Sequence, residues 1–230
     1  MRNVLILACL TATAQPATAQ VATLRPESCA RLATVQYDNC SITNIFRCGD
    51  GSAAFWIESL DGDDILTVET RNADHGSETL DFVGQGVTIR MTQTKAHPRD
   101  TILNGSAEDT ITGEFQIFGM SRPIVGQTSY GYAGEETVLA GVTFARIAFN
   151  GSVTLPPPMP AMTGGGTYLY SEDLDLLIEE SVNFDAEMDG ETYRLAHLSL
   201  AGQDGFGDET PGYGCGQLSQ LRLNPAEVPT

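Results

Sequence analysis

Asp61, Asp63 and Asp64, in the run DGDD, are the residues whose type and spacing come nearest to a metal site. Calcium takes hard oxygen ligands from clustered carboxylates and carbonyls. The run DGFGDE, Asp204 to Glu209, has the same character. Neither has the EF-hand loop with its distal glutamate or the glycine-rich nonapeptide repeat. The three aspartates are therefore weak calcium candidates that serve equally well as turn residues. Transition-metal patterns such as H-x-H, H-E-x-x-H and C-x-x-C do not occur. The histidines, His75, His97 and His197, lie far apart in the chain. His197 sits in YRLAHLSL, a strand-like run whose alternation gives it the same face as Tyr193 and Leu195.

Nucleophilic chemistry has no better anchor. G-x-S-x-G is missing, and the serines after glycine in NGSAE, HGSET and NGSVT are ordinary turn residues. Two acid pairs, Glu135-Glu136 and Glu179-Glu180, invite glycosidase chemistry. Adjacent strand residues point to opposite faces, so such a pair cannot flank one bond at the required ~5–9 Å. No catalytic residue and no cofactor-binding motif is nominated. A hydrolase would have to assemble its site from separate strands.

The elements that would position these groups are strands. SITNIFRC, AAFWIESL and ILTVET form a meander joined by GDGS and DGDD, where Gly and Asp supply the turn conformations. Thr, Val, Ile, Tyr and Phe recur in further runs down to TYRLAHLSL. Long amphipathic helical windows are missing; the helix candidates are the opening stretch and a turn or two near ESCARLATVQ. PPPMPAMTGGG, Pro156 to Gly166, reads as a loop between two late strands. In TYLYSEDLDLLIEESV, Tyr168 and Tyr170 alternate on one face and Ser171 to Asp175 form an acidic turn, so the segment reads as a hairpin with solvated carboxylates.

The first nineteen residues have the parts of a secretory signal: Arg2, an apolar core from Val4 to Ala14, and Ala17-Thr18-Ala19 as the cleavage site. Cys9 follows too short an apolar stretch to be a lipoprotein cysteine. The domain expectation is a signal peptide over 1–19, one β-rich domain over 20–223 and a disordered tail over 224–230, with no transmembrane segment. Cleavage near Ala19 places the protein in the periplasm or outside the cell. Four cysteines remain, Cys29, Cys40, Cys48 and Cys215, and an even count in an exported chain reads as two disulfides. Cys40 and Cys48 flank one straight strand and lie about 26 Å apart, beyond disulfide reach. That favours Cys29–Cys40 with Cys48–Cys215 and leaves Cys29–Cys48 with Cys40–Cys215 open. The formal net charge is −18, which excludes nucleic acid and anionic lipid as electrostatic partners.

Two segments carry a resemblance. EETVLAGVTFARIAFNG followed by GTYLYSEDLDLLIEESV is similar to a strand signature of bacterial envelope proteins, in which V-x-A-G-T-F leads to Y-W-Y-x-P-E-L-G-x-V-V. It resembles the LolA/LolB-like lipoprotein-carrier group and related periplasmic domains. Ala140-Gly141 and Phe144 take the A-G…F positions, Tyr168 and Tyr170 the aromatic ones, and Asp173-Leu174 the E-L. Leu176 to Ile178 begin the return strand. Glu172 replaces the usual Pro and Asp175 the turn Gly, and Asp tolerates the left-handed backbone there. The likeness covers roughly 50 of the 230 residues and carries no catalytic residue. It implies a curved antiparallel sheet or half-open barrel around an apolar interior, which in such carriers holds acyl chains.

The fold expected is thus mainly β with little helix. The function expected is an exported, non-enzymatic binding or envelope-associated protein, with an apolar small molecule or an envelope protein as partner. The rivals are an exported hydrolase and a structural subunit of an envelope complex.

Overall fold

The structure is a computed structural model that describes residues 25–49, 53–61, 64–93, 98–155, 161–184, 192–213 and 215. The signal segment and the tail lie outside the described residues. Among the described residues twelve strands follow one another: β1 (Cys29–Tyr37), β2 (Ile42–Cys48), β3 (Phe55–Asp61), β4 (Asp64–Arg71), β5 (Ser77–Phe82) and β6 (Val87–Gln93). After the helix α1 (Pro98–Asn104) come β7 (Ser106–Ile117), β8 (Met120–Leu139), β9 (Val142–Thr154), β10 (Met162–Ser171), β11 (Leu176–Phe184) and β12 (Thr192–Leu200). Each strand pairs antiparallel with the next, and β1 pairs with β12, so the sheet closes into a barrel. Closure removes the unpaired edges that an open sheet of this size would expose.

Short connections follow from local chemistry. Phe118-Gly119 and Ala140-Gly141 all have positive φ and join β7 to β8 and β8 to β9 as two-residue loops, whose twist matches the flanking strands. Asp175 takes φ +45° at the end of the β10–β11 turn, the left-handed position expected of it. Gly113 and Gly166 sit where a Cβ would collide with the neighbouring backbone at Arg90 and Ser181, so the wall bends sharply there.

Alternation sets the two faces. On β7, Asp109, Ile111 and Phe115 are buried and point inward, while Glu108, Thr110, Thr112 and Glu114 are exposed. That polar outer face is unlike the apolar band of a lipid-facing barrel. One end of the interior is apolar: Phe115, Ile124 and Leu155 pack with Ile89, Met91, Val153 and Met162. On the β1 side both faces are buried. Val35 and Ala33 face in, whereas Thr34 and Gln36 face out beneath the segment that follows β12. That segment donates to both: the Gly207 amide to Thr34 Oγ1 at 2.9 Å, and the Gly212 and Tyr213 amides to Gln36 Oε1 at 2.8 and 3.0 Å.

Four expectations need correction. Of Pro156 to Gly166, read as a loop, Met162 to Gly166 open strand β10, paired with β9, while residues 156–160 lie outside the described residues. The stretch ESCARLATVQ contributes strand β1, because it pairs on both sides; the helix is α1, which Pro98 opens at the position where a missing N–H costs nothing. The disulfides are Cys29–Cys48 and Cys40–Cys215. Cys29 stands directly opposite Cys48 across β1 and β2, with Cα atoms 3.9 Å apart, so the β1 register selects the pairing left open by the sequence. Last, β12 carries an extra residue at Ala196, where Gln36 pairs with His197 and Tyr37 with Leu195. This bulge turns His197 to the outer face, away from Tyr193 and Leu195, where it stacks on Tyr213 at 3.8 Å.

Candidate functional site

The inner wall brings together residues from strands distant in sequence. Glu69 and Arg71 lie two apart on β4 and share the face of their partners Ile57 and Phe55. Tyr168 on β10 stands between Ile147 and Glu179, and Tyr193 on β12 pairs with Val182. Tyr37, Asp109 and Tyr130 complete the polar lining. Eight strands enclose just enough space for their own inward side chains, and twelve enclose more. Tyr130, Tyr168, Glu179 and Tyr193 point inward and keep part of their surface accessible.

Charges in this lumen are unevenly paired. Arg71 grips Glu69 with two parallel bonds, Nε to Oε1 and Nη2 to Oε2, each 2.8 Å. Ser77 Oγ also donates to Glu69. The arginine is held above its ordinary range: burial works against its charge, but the adjacent Glu69 carboxylate outweighs that. Glu179 accepts a short hydrogen bond from the Tyr193 hydroxyl. Burial pushes the Glu179 carboxyl above its usual range despite the nearby Arg71 and that hydrogen bond. Burial, followed by the Glu179 charge, likewise raises Tyr37, Tyr168 and Tyr193, so all three are neutral phenols. Tyr130 is pushed up to about 12 by burial and by Asp109. The rings are ordered against each other: Tyr37 meets Tyr193 edge-on at 4.9 Å, and Tyr168 stacks on Phe149 at 4.3 Å.

A second cluster closes the end of the barrel that holds α1. His75 Nε2 lies 3.2 Å from Asp175 Oδ1, and the carboxylate as acceptor places the ring proton on Nε2. The Tyr170 hydroxyl donates to the same oxygen at 3.0 Å, and Arg99 Nε on α1 donates to that hydroxyl at 2.9 Å. Arg47 holds the carbonyls of Leu174 and Asp175 at 2.6 and 2.9 Å. His75 stacks on Phe55 at 4.6 Å, and burial lowers its pKa so that the ring is neutral. Burial alone would raise Asp175, but the bonds from His75 and Tyr170 prevail and hold it below its ordinary range. His75 Nε2, Asp175, the Tyr170 hydroxyl, Arg99 and Arg47 are all engaged in these contacts. The cluster ties the β4–β5 and β10–β11 turns, strand β2 and helix α1 together.

A cleft of about 500 Å³ opens beside β12, where among the described residues β11 and β12 are joined by three pairs, Ser181 with Arg194, Val182 with Tyr193 and Asn183 with Thr192. Within it Arg146 grips both oxygens of Glu180 at 2.8 to 3.1 Å.

The residues singled out in the sequence fall elsewhere. Asp61 and Asp64 face each other as the closing pair of the β3–β4 hairpin, Asp64 is exposed, and Asp63 lies outside the described residues. Among the described residues no group of three or more His, Cys, Asp or Glu is placed to hold a metal. Glu179 and Glu180 do point to opposite sides, one to Tyr193 in the lumen and the other to Arg146. The reading of the TYLYSEDLDLLIEESV acids as solvated holds for Glu172 and Asp173 but fails for Asp175 and Glu179, which the barrel partly encloses. Sequence reasoning passed over Glu69 and Arg71. Their signal was opposite charge at a spacing of two within TVETR, which puts both on one face of a strand.

Compared with protein-family models, curated proteins and solved structures, the chain matches none. Two disulfides mark an oxidising, extracytoplasmic setting. No helix among the described residues is long and apolar enough to cross a membrane.

Proposed function

We propose that this protein is an exported, non-enzymatic binding barrel that carries a small amphipathic molecule in its lumen. One observation carries the reading: the closed barrel has an apolar inner end around Phe115 and Ile124 and a middle lined by tyrosines and charges that retain accessible surface. Small-molecule sites have this composition, mostly apolar with a few placed polar groups. The likeness of the β8–β11 segment to lipoprotein carriers supports an apolar tail in the ligand. The signal-like first nineteen residues and the disulfides support a periplasmic or secreted location.

The test uses protein exported from the periplasm of a bacterial host and purified without detergent. Organic extraction and mass spectrometry should release a stoichiometric amphiphile, or the empty protein should bind the neutral probe N-phenyl-1-naphthylamine saturably at one site. Val153→Phe, which adds bulk among the inward apolar residues, should weaken that binding while leaving the far-ultraviolet circular dichroism intact. Protein that neither retains an amphiphile nor binds the probe saturably would end this reading.

A further inference from the structure

Resting on that lumen reading, we propose that the molecule it selects is cationic, an amine or quaternary ammonium on an apolar tail, with the head group seated against Glu179 among the tyrosine rings. The argument is one of unmatched charge. Arg71 and Glu69 neutralise each other through two 2.8 Å bonds. Glu179 is left with a neutral partner, the Tyr193 hydroxyl, in a wall where Asp109 is a further acid. An ionised carboxylate so placed costs free energy unless a counter-charge arrives. Burial already pushes Glu179 toward its protonated form, and a bound ammonium would draw the proton off.

The rings supply the second half of the site. Tyr37 and Tyr193 pack edge-to-face, and Tyr168 is fixed by its stack on Phe149, so aromatic surfaces surround the carboxylate. Aromatic faces attract cations through their quadrupole, and such cages recognise quaternary ammonium groups. An anionic head group is disfavoured because Glu69, Glu179 and Asp109 outnumber Arg71. A bare metal ion is disfavoured too, since no ligand group for one exists among the described residues.

The experiment titrates the full mature protein with dodecyltrimethylammonium, dodecyl maltoside and dodecyl sulfate below micelle formation. High salt screens the attraction of the acidic surface. The cation should bind about tenfold more tightly than the neutral amphiphile, the scale of one partly desolvated cation–π and charge contact. In Glu179→Gln that ratio should collapse toward one, and Tyr168→Leu should reduce it independently. Equal binding of the cationic and neutral amphiphiles, or preference for the sulfate, overturns the cation assignment and leaves the lumen reading standing. Failure of all three to bind overturns both.

Discussion

Asp175 and Glu179 are four residues apart on one hairpin, and the structure treats them in opposite ways. Asp175 is part-exposed at the barrel end, with His75 and Tyr170 on its Oδ1 and Arg47 and Arg99 close by, and its pKa is lowered. Glu179 lies in the lumen with one phenol as hydrogen-bond partner, and its pKa is raised. Burial raises both, so the difference rests on the number and charge of donors. Where donors are many, the carboxylate serves as a structural tie; where they are few, it is left to be completed by something else.

Substitutions can break this contrast. Asp175→Ala should have the largest effect, a loss of about 2 kcal/mol in urea unfolding, since it strands the buried His75 and puts a Cβ residue without a compensating side chain at positive φ. Tyr193→Phe removes the hydrogen bond to Glu179 and should cost about 1 kcal/mol at neutral pH. Glu179→Gln should move stability the other way, a gain of up to about 1 kcal/mol at neutral pH, because it relieves an uncompensated charge. A loss above that size in Glu179→Gln would mean that the carboxylate is a structural tie after all. Arg146→Ala should change stability by no more than about 0.5 kcal/mol, as its ion pair with Glu180 is part-exposed.

The same contrast predicts opposite pH dependence. The contribution of Asp175 is present above the unfolded aspartate pKa and is lost as pH falls through its lowered folded value. Neutral His75 acts in the same direction, favouring the fold above the unfolded histidine pKa and losing that advantage in acid. For Glu179 the sign reverses: relative stabilisation is full below the unfolded glutamate pKa and is lost as pH rises through its raised folded value. The gain from Glu179→Gln should therefore vanish in mild acid, while the deficit of Asp175→Asn should persist there and close at lower pH. Urea melts across pH read both.

Much of the scaffold was legible. The run SITNIFRC, its two successors and the β10–β11 hairpin are fixed by alternation and by Gly or Asp at turns, which are local effects. The left-handed backbone of Asp175 was legible too, since a short polar side chain tolerates it. The site was not legible, because bulges and registers are set between strands. The extra residue at Ala196 reverses the face of His197, and the register of β1 against β2 selects Cys29–Cys48.

Most of the strands and turns, the cysteines available for disulfides and the acidic balance followed from the sequence, all properties of neighbouring residues and composition. Only the tertiary structure decided that β1 meets β12, and with that closure which carboxylates face water and which face the lumen. Desolvation and pairing depend on what lies across the barrel: Glu69, Arg71, Glu179 and Tyr193 acquire their relations from strands up to seven apart in the chain.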